Sequence, residues 1–106
     1  MVDVEREIER AVNTGKVFFG FKSALKGALE GRVKLIVLAR NSPEEIKKKI
    51  EHYSKLSNVP VMVYSGSGRD LGEVCRKPFM VSALSIREIG DSKIMEVLEG
   101  RQRAEE

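Results

Sequence analysis

The sequence predicts an α/β fold, a three-layer α/β/α sandwich built on one four-stranded mixed sheet. Three observations carry this. Helical and extended patterns alternate from end to end, with turn signals every dozen or so residues. Residues 33–39 form a nearly continuous apolar run, the pattern of a strand covered on both faces. A chain of 106 residues fits one domain, here residues 1–100, followed by a frayed tail at 101–106.

The first helix is expected over residues 3–13. Val4, Ile8, Ala11 and Val12 recur at helical spacing, and Gly15 stands where a left-handed cap would end it. A short strand follows at 16–19. The second helix, 21–30, offers Ala24, Leu25, Ala28 and Leu29 as its buried stripe, and Gly31 stops it. After the apolar strand, Ser42, Pro43 and Glu45 read as N-cap, first helical residue and capping-box partner of the third helix. Ile46, Ile50 and Tyr53 are its buried stripe. Glu44–Lys48, Glu45–Lys49 and Glu51–Lys55 are favourable pairs on its wet face, and Asn58 and Pro60 end it. The third strand, near 60–64, begins at a residue with no amide donor, so it belongs at a sheet edge. A short helix at 68–76 turns Leu71, Val74 and Cys75 inward, and Pro78 blocks its extension. The fourth strand is expected near 80–87, and Ile94, Val97 and Leu98 mark a final helix.

Charge narrows the function. Net charge is only +3, but residues 15–41 hold Lys16, Lys22, Lys26, Arg32, Lys34 and Arg40 against Glu30 alone. Clustered cations attract anionic partners. No apolar run is long enough for a membrane span. Asp3, Glu5, Arg6, Glu7 and Glu9 leave no room for a signal-peptide core, and a single cysteine, Cys75, suits a reducing compartment. A cytoplasmic location is expected.

Two strand-to-helix junctions carry the chemistry. Gly20-Phe21-Lys22-Ser23 follows the first strand; Ala39-Arg40-Asn41-Ser42-Pro43 follows the second. Helix N-termini present unpaired amides that favour phosphate. Gly20 permits close backbone approach, Lys22 adds a mobile cation, and Arg40 a planar fork. Asn41 offers both a donor and an acceptor to a base edge. Lys26 lies one turn beyond Lys22. A third piece, Arg76-Lys77-Pro78-Phe79, reaches the same edge if the fourth strand runs antiparallel. Phe79 is then a stacking surface for an unpaired base, for roughly 1–3 kcal/mol.

Other motifs read as structural. Gly66-Ser67-Gly68-Arg69-Asp70-Leu71-Gly72 resembles a dinucleotide fingerprint, but its last glycine falls one position late, and a tight turn explains it. One His (His52) and one Cys cannot build a zinc site alone. No catalytic triad or phosphate-loop motif is present, so no enzyme, cofactor or metal is expected. Lys47, Lys48 and Lys49 read as a solvated helix face, so Lys47→Ala is expected to change little.

In order and spacing, several segments resemble the L-seven-A-e superfamily of kink-turn RNA-binding proteins. They are Thr14-Gly15-Lys16, Gly20-Phe21-Lys22-Ser23, Lys34-Leu35-Ile36, Ala39-Arg40-Asn41-Ser42-Pro43, residues 50–57, Leu71-Gly72 and Gly90-Asp91-Ser92. The first loop lacks the Asn-Glu pair, and the second the acidic character, of the box C/D branch. The likeness is to the archaeal and eukaryotic large-subunit ribosomal branch. A glycine expected after the helix at 68–76 is replaced by Arg76-Lys77. The resemblance implies strand order 1-4-2-3 with the fourth antiparallel. It implies binding to a kink-turn, an internal loop whose tandem sheared G·A pairs bend an RNA helix. Gly20, Lys22 and Ser23 would face those pairs. Arg40 and Asn41 would read from the second loop, and Phe79 would support a splayed nucleotide. Phe21, Lys26, Arg76 and Lys77 complete the expected RNA-binding set. The implied partner is large-subunit rRNA within the ribosome, with the protein's own mRNA a second candidate, no membrane, and a monomer before assembly. A kink-turn binder of another RNP, or a protein-interaction module on the same fold, are the alternatives.

Overall fold

The computed structural model describes residues 4–96. Its elements are α1 (Val4–Thr14), β1 (Lys16–Phe19), α2 (Phe21–Glu30), β2 (Leu35–Ala39), α3 (Glu44–Leu56), β3 (Val61–Tyr64), α4 (Gly68–Val74) and β4 (Ala83–Glu88). A further helix opens at residue 94. Val97, Leu98 and the tail at 101–106 lie outside the described residues.

The sheet has order β1-β4-β2-β3. β4 is antiparallel to both neighbours, while β2 and β3 are parallel. All five residues of β2 are buried, as its unbroken apolar run requires. Alternation along the strands divides the core. Leu35, Val37, Leu84 and Ile86 meet Ile8 and Ala11 of α1, Leu71 of α4 and Cys75 at the C-cap of α4. Ile36, Leu38 and Ala83 meet Ala24, Ala28 and Ile50 of α2 and α3. The result is the expected three-layer sandwich, with β3 at an edge beside Pro60. Buried Cys75 has its thiol pushed up to about 11 by desolvation, against the opposing pull of Lys77, so it stays protonated at neutral pH.

Four local expectations are corrected. Gly15 is not a left-handed cap, since it is absent from the positive-φ residues; a Cβ there would fall 2.0 Å from the Glu88 carbonyl oxygen, so packing demands the glycine. Leu29 is 54% exposed, because the buried face of α2 runs through Ala24, Gly27 and Ala28. Ser42 does not cap α3. Its hydroxyl donates to the Ser82 carbonyl at 2.8 Å, and Pro43 precedes the helix with no side-chain cap. On α3 the observed ion pair is Glu44–Lys47 at 3.9 Å, one residue closer than the expected spacing. A capping box does form elsewhere, between Ser67 and Asp70 at the start of α4.

Two further polar features are legible only in three dimensions. Glu7 is 3% exposed, yet its carboxylate accepts from Lys93 N at 2.9 Å, and its carbonyl from the Ser92 hydroxyl at 2.6 Å. Ser54 is buried in α3 with a hydroxyl that has no hydrogen-bond partner. Ser54→Ala removes that hydroxyl and improves helix propensity. It is expected to raise stability by about 1 kcal/mol, read as a higher urea midpoint at unchanged m. A lower midpoint would show that the hydroxyl is engaged.

Candidate nucleic-acid interface

The register fixes where the loops emerge. Phe19, the last residue of β1, pairs with Leu84 near the start of β4. Leu38 pairs with Ala83, and Ala39 with Tyr64 at the end of β3. Three strand ends and one strand start therefore share one edge of the sheet.

Backbone bonds gather the loops at this edge around Ser82 and Ala83. Gly20 N donates to the Ala83 carbonyl and Ala39 N to the Ser82 carbonyl, both at 2.9 Å. The Ser42 hydroxyl shares the Ser82 carbonyl. Arg40 N donates to the Gly66 carbonyl at 3.0 Å, and Val81 N to the Gly68 carbonyl at 2.9 Å. Gly20, the second loop and the Phe79–Ser82 segment thus form one rim, and the loop after β3 joins them.

Gly20 has φ 103 and ψ 160, a conformation that L side chains rarely adopt, and it turns the chain directly from β1 into α2. Lys22 is exposed in the first turn of α2. Phe21 is half-buried; it lines a small apolar cleft with Leu25, Ile46 and Ile50, so it anchors α2 against α3. Ser23 and Lys26 sit on the side of α2 that faces Phe18 and β4. Arg40 and Asn41 are exposed. The Asn41 Oδ1 accepts from Gly68 N at 3.0 Å, so its acceptor is committed to holding α4 while its amide donor can still face a ligand.

Phe79 is 52% exposed and meets Phe19 edge-on, with ring centroids 6.1 Å apart. Lys77 places its ammonium 5.3 Å from the centre of the Phe19 ring. Arg76 has φ 56, a left-handed conformation that accounts for the expected glycine at this place. Its guanidinium is 2.9 Å from Glu9 and so is drawn toward α1. Among the described residues, no ion pair involves Lys22, Lys26, Arg40 or Lys77.

Lys47 requires a correction. Its side chain is only 14% exposed and donates to the Arg40 carbonyl at 2.6 Å. It braces the second loop and does not belong to a solvated face. Lys48, which is exposed, is the better control for charge alone. The sequence also hid Arg69 and Met80, which line a surface cavity of about 380 Å³ with Lys77 and Phe79. Parallel pairing of β2 with β3 was the available signal, because it brings the third junction to the same edge as the first two. Among the described residues, no group of three His, Cys, Asp or Glu could hold a metal, and no helix is long and apolar enough to cross a membrane.

The chain is similar to known proteins over nearly its whole length. The model of the Ribosomal protein L7Ae/L30e/S12e/Gadd45 family matches residues 3–96. Over 100 residues the chain is 46% identical to large ribosomal subunit protein eL30 of Saccharolobus solfataricus, across 94% of this chain and 93% of that protein. It is 47% identical over 98 residues to the eL30 protein of Methanosphaera stadtmanae, across 92% of this chain and 100% of that one. A solved structure of a protein of unknown function from Bacillus halodurans matches with a TM-score of 0.77, covering 94% of this chain and 96% of that chain. At 19% identity, that likeness shows the fold alone.

Proposed function

From the premise that the chain belongs to the Ribosomal protein L7Ae/L30e/S12e/Gadd45 family, we propose that it is a structural component of the large ribosomal subunit. On this reading it binds a kink-turn in rRNA through the loops of the rim and works in the cytoplasm on the ribosome. The relatives' name supports the ribosomal assignment. The observation that carries the RNA reading is the stitching of the first two loops to Ser82 and Ala83, at the end of the third. It sets Lys22, Asn41 and Phe79 on one edge.

Each group then has a task suited to its chemistry. Lys22, with Lys26 one turn on, meets phosphate or the acceptor edge of guanine. Arg40 meets backbone, and the Asn41 amide donates to a base edge or sugar. Phe79 stacks on an unpaired base. Phosphate contacts position the protein, and base and shape contacts set its preference.

A gel-shift comparison tests this. The kink-turn is expected to bind about a hundredfold more tightly than a plain duplex of equal length. With both RNAs, affinity should fall as salt rises, because phosphate contacts release counterions. Equal affinity for the two RNAs would remove the reading and favour a protein-interaction role on the same fold.

A further inference from the structure

A groove on the α2 face of the sheet borders the rim only at Ser23 and Lys26 and extends away from it. It has a volume of about 220 Å³ and runs between α2 and the β1–β4 pair. Phe18, Ser23, Lys26, Arg32, Ser85 and Arg87 supply its chemistry, with Glu30 the one carboxylate. It starts below Ser23 in the first turn of α2 and continues to Arg32, beyond the helix C-terminus. β4 is antiparallel to β1 and so runs in the same sense as α2, which brings Arg87, next to last in that strand, to the same far end.

Ser85 is the informative residue. It is 1% exposed and its hydroxyl has no hydrogen-bond partner. Alternation along β4 explains its direction. Leu84 and Ile86 enter the core beneath α1 and α4, whereas Ala83 faces α2 and α3, so Ser85 also turns to the α2 side. It pairs with Phe18 on one flank and Ile36 on the other. An apolar residue would suit that place, and a buried unpaired hydroxyl is uncommon because it forfeits its bonds to water. Phe18 beside it is 46% exposed, a large aromatic surface open to the groove. Lys26, Arg32 and Arg87 are exposed, and among the described residues none forms an ion pair.

We propose that this groove binds an unpaired nucleotide. The base lies on Phe18, the Ser85 hydroxyl bonds its edge, and the phosphate meets Arg32 and Arg87. Aromatic stacking combined with a cationic track is how single strands are held without strong sequence preference. The site goes beyond the kink-turn reading and does not depend on it.

Titration of the full chain with a fluorescent tetranucleotide, and separately with adenosine monophosphate, tests the groove. Phe18→Leu and Arg87→Ser are each expected to weaken tetranucleotide binding about tenfold, the loss of one stacked base or one strong contact. Ser85→Ala should weaken it severalfold while raising the melting temperature of the free protein. Lys22→Ala should leave it unchanged, even though that substitution weakens the kink-turn complex. Protein saturated with kink-turn RNA should still take up the tetranucleotide. Tighter binding of the tetranucleotide than of the monophosphate assigns the groove to an RNA strand; equal binding assigns it to a free nucleotide. Unchanged tetranucleotide affinity in both Phe18→Leu and Arg87→Ser would overturn the proposal. So would displacement of the tetranucleotide by kink-turn RNA together with its loss in Lys22→Ala, which would place it at the rim. Failure of kink-turn binding itself leaves the tetranucleotide readout intact.

Discussion

Lys22→Ala is expected to weaken kink-turn binding by about ten- to a hundredfold while leaving the fold intact. A charge-assisted hydrogen bond contributes roughly 1.5–3 kcal/mol, and each 1.4 kcal/mol is a factor of about ten. Lys22 is exposed and has no ion pair among the described residues, so its removal orphans no partner within the protein. The urea midpoint should therefore correspond to a change within about 0.5 kcal/mol. Asn41 needs a subtler design because it also holds Gly68 N. Asn41→Ala removes the acceptor and the donor together. Asn41→Asp keeps an acceptor for Gly68 N but replaces the amide donor with a negative charge. If Asn41 contacts RNA, Asn41→Asp keeps its stability and loses binding at least as severely as Asn41→Ala. Wild-type affinity in Lys22→Ala would remove the first loop from the interface.

Gly72→Ala is expected to damage the fold and the rim together. An added Cβ would lie 2.3 Å from the Phe79 carbonyl oxygen, which is backbone and cannot swing aside. The loop carrying Phe79 crosses α4 at a distance only a glycine allows. Forcing a methyl group into that contact is expected to cost about 2–3 kcal/mol, the upper part of the range for overpacking. It should also displace Phe79 and weaken RNA binding in the same variant. Gly68→Ala is the control within the same helix. Its Cβ would come no closer than 3.4 Å to its nearest neighbour, an ordinary contact. A Gly72→Ala protein with wild-type urea midpoint and wild-type binding would show that this crossing is looser than the geometry implies.

The order of elements was legible because each is written locally. The apolar run of β2, the helical stripe of α1 and the missing amide donor at Pro60 each depend on near neighbours. The misreadings share a cause, which is competition from groups far along the chain. Ser42-Pro43-Glu44-Glu45 satisfies every local rule for a capped helix, yet the Ser42 hydroxyl bonds a carbonyl forty residues away. Gly15 stands where a helix cap belongs but is required by Glu88 on the opposite strand. Lys47 looks like one of three solvated lysines until the second loop folds back over it. The glycine pattern from Gly66 to Gly72 reads as a tight turn before a short helix, and only the fold reveals that it holds a capping box and that Arg69 lines a cavity with Phe79. At the site itself, residue types gave the chemistry of Lys22, Arg40 and Asn41, but the tie from Asn41 to Gly68 depends on the pairing of β2 with β3.

Among the described strands, the one that joins β1 to the rest of the sheet is the last translated. Among the described residues β1 has β4 as its sole strand neighbour, and both older loops hang on the carbonyls of Ser82 and Ala83. A nascent chain that stops before residue 82 therefore holds β1 as an orphan edge and has no seam to gather its loops. Closing contacts of such long sequence separation is slow relative to local helix formation. The rim is therefore completed in one late step, when β4 inserts between two segments made long before.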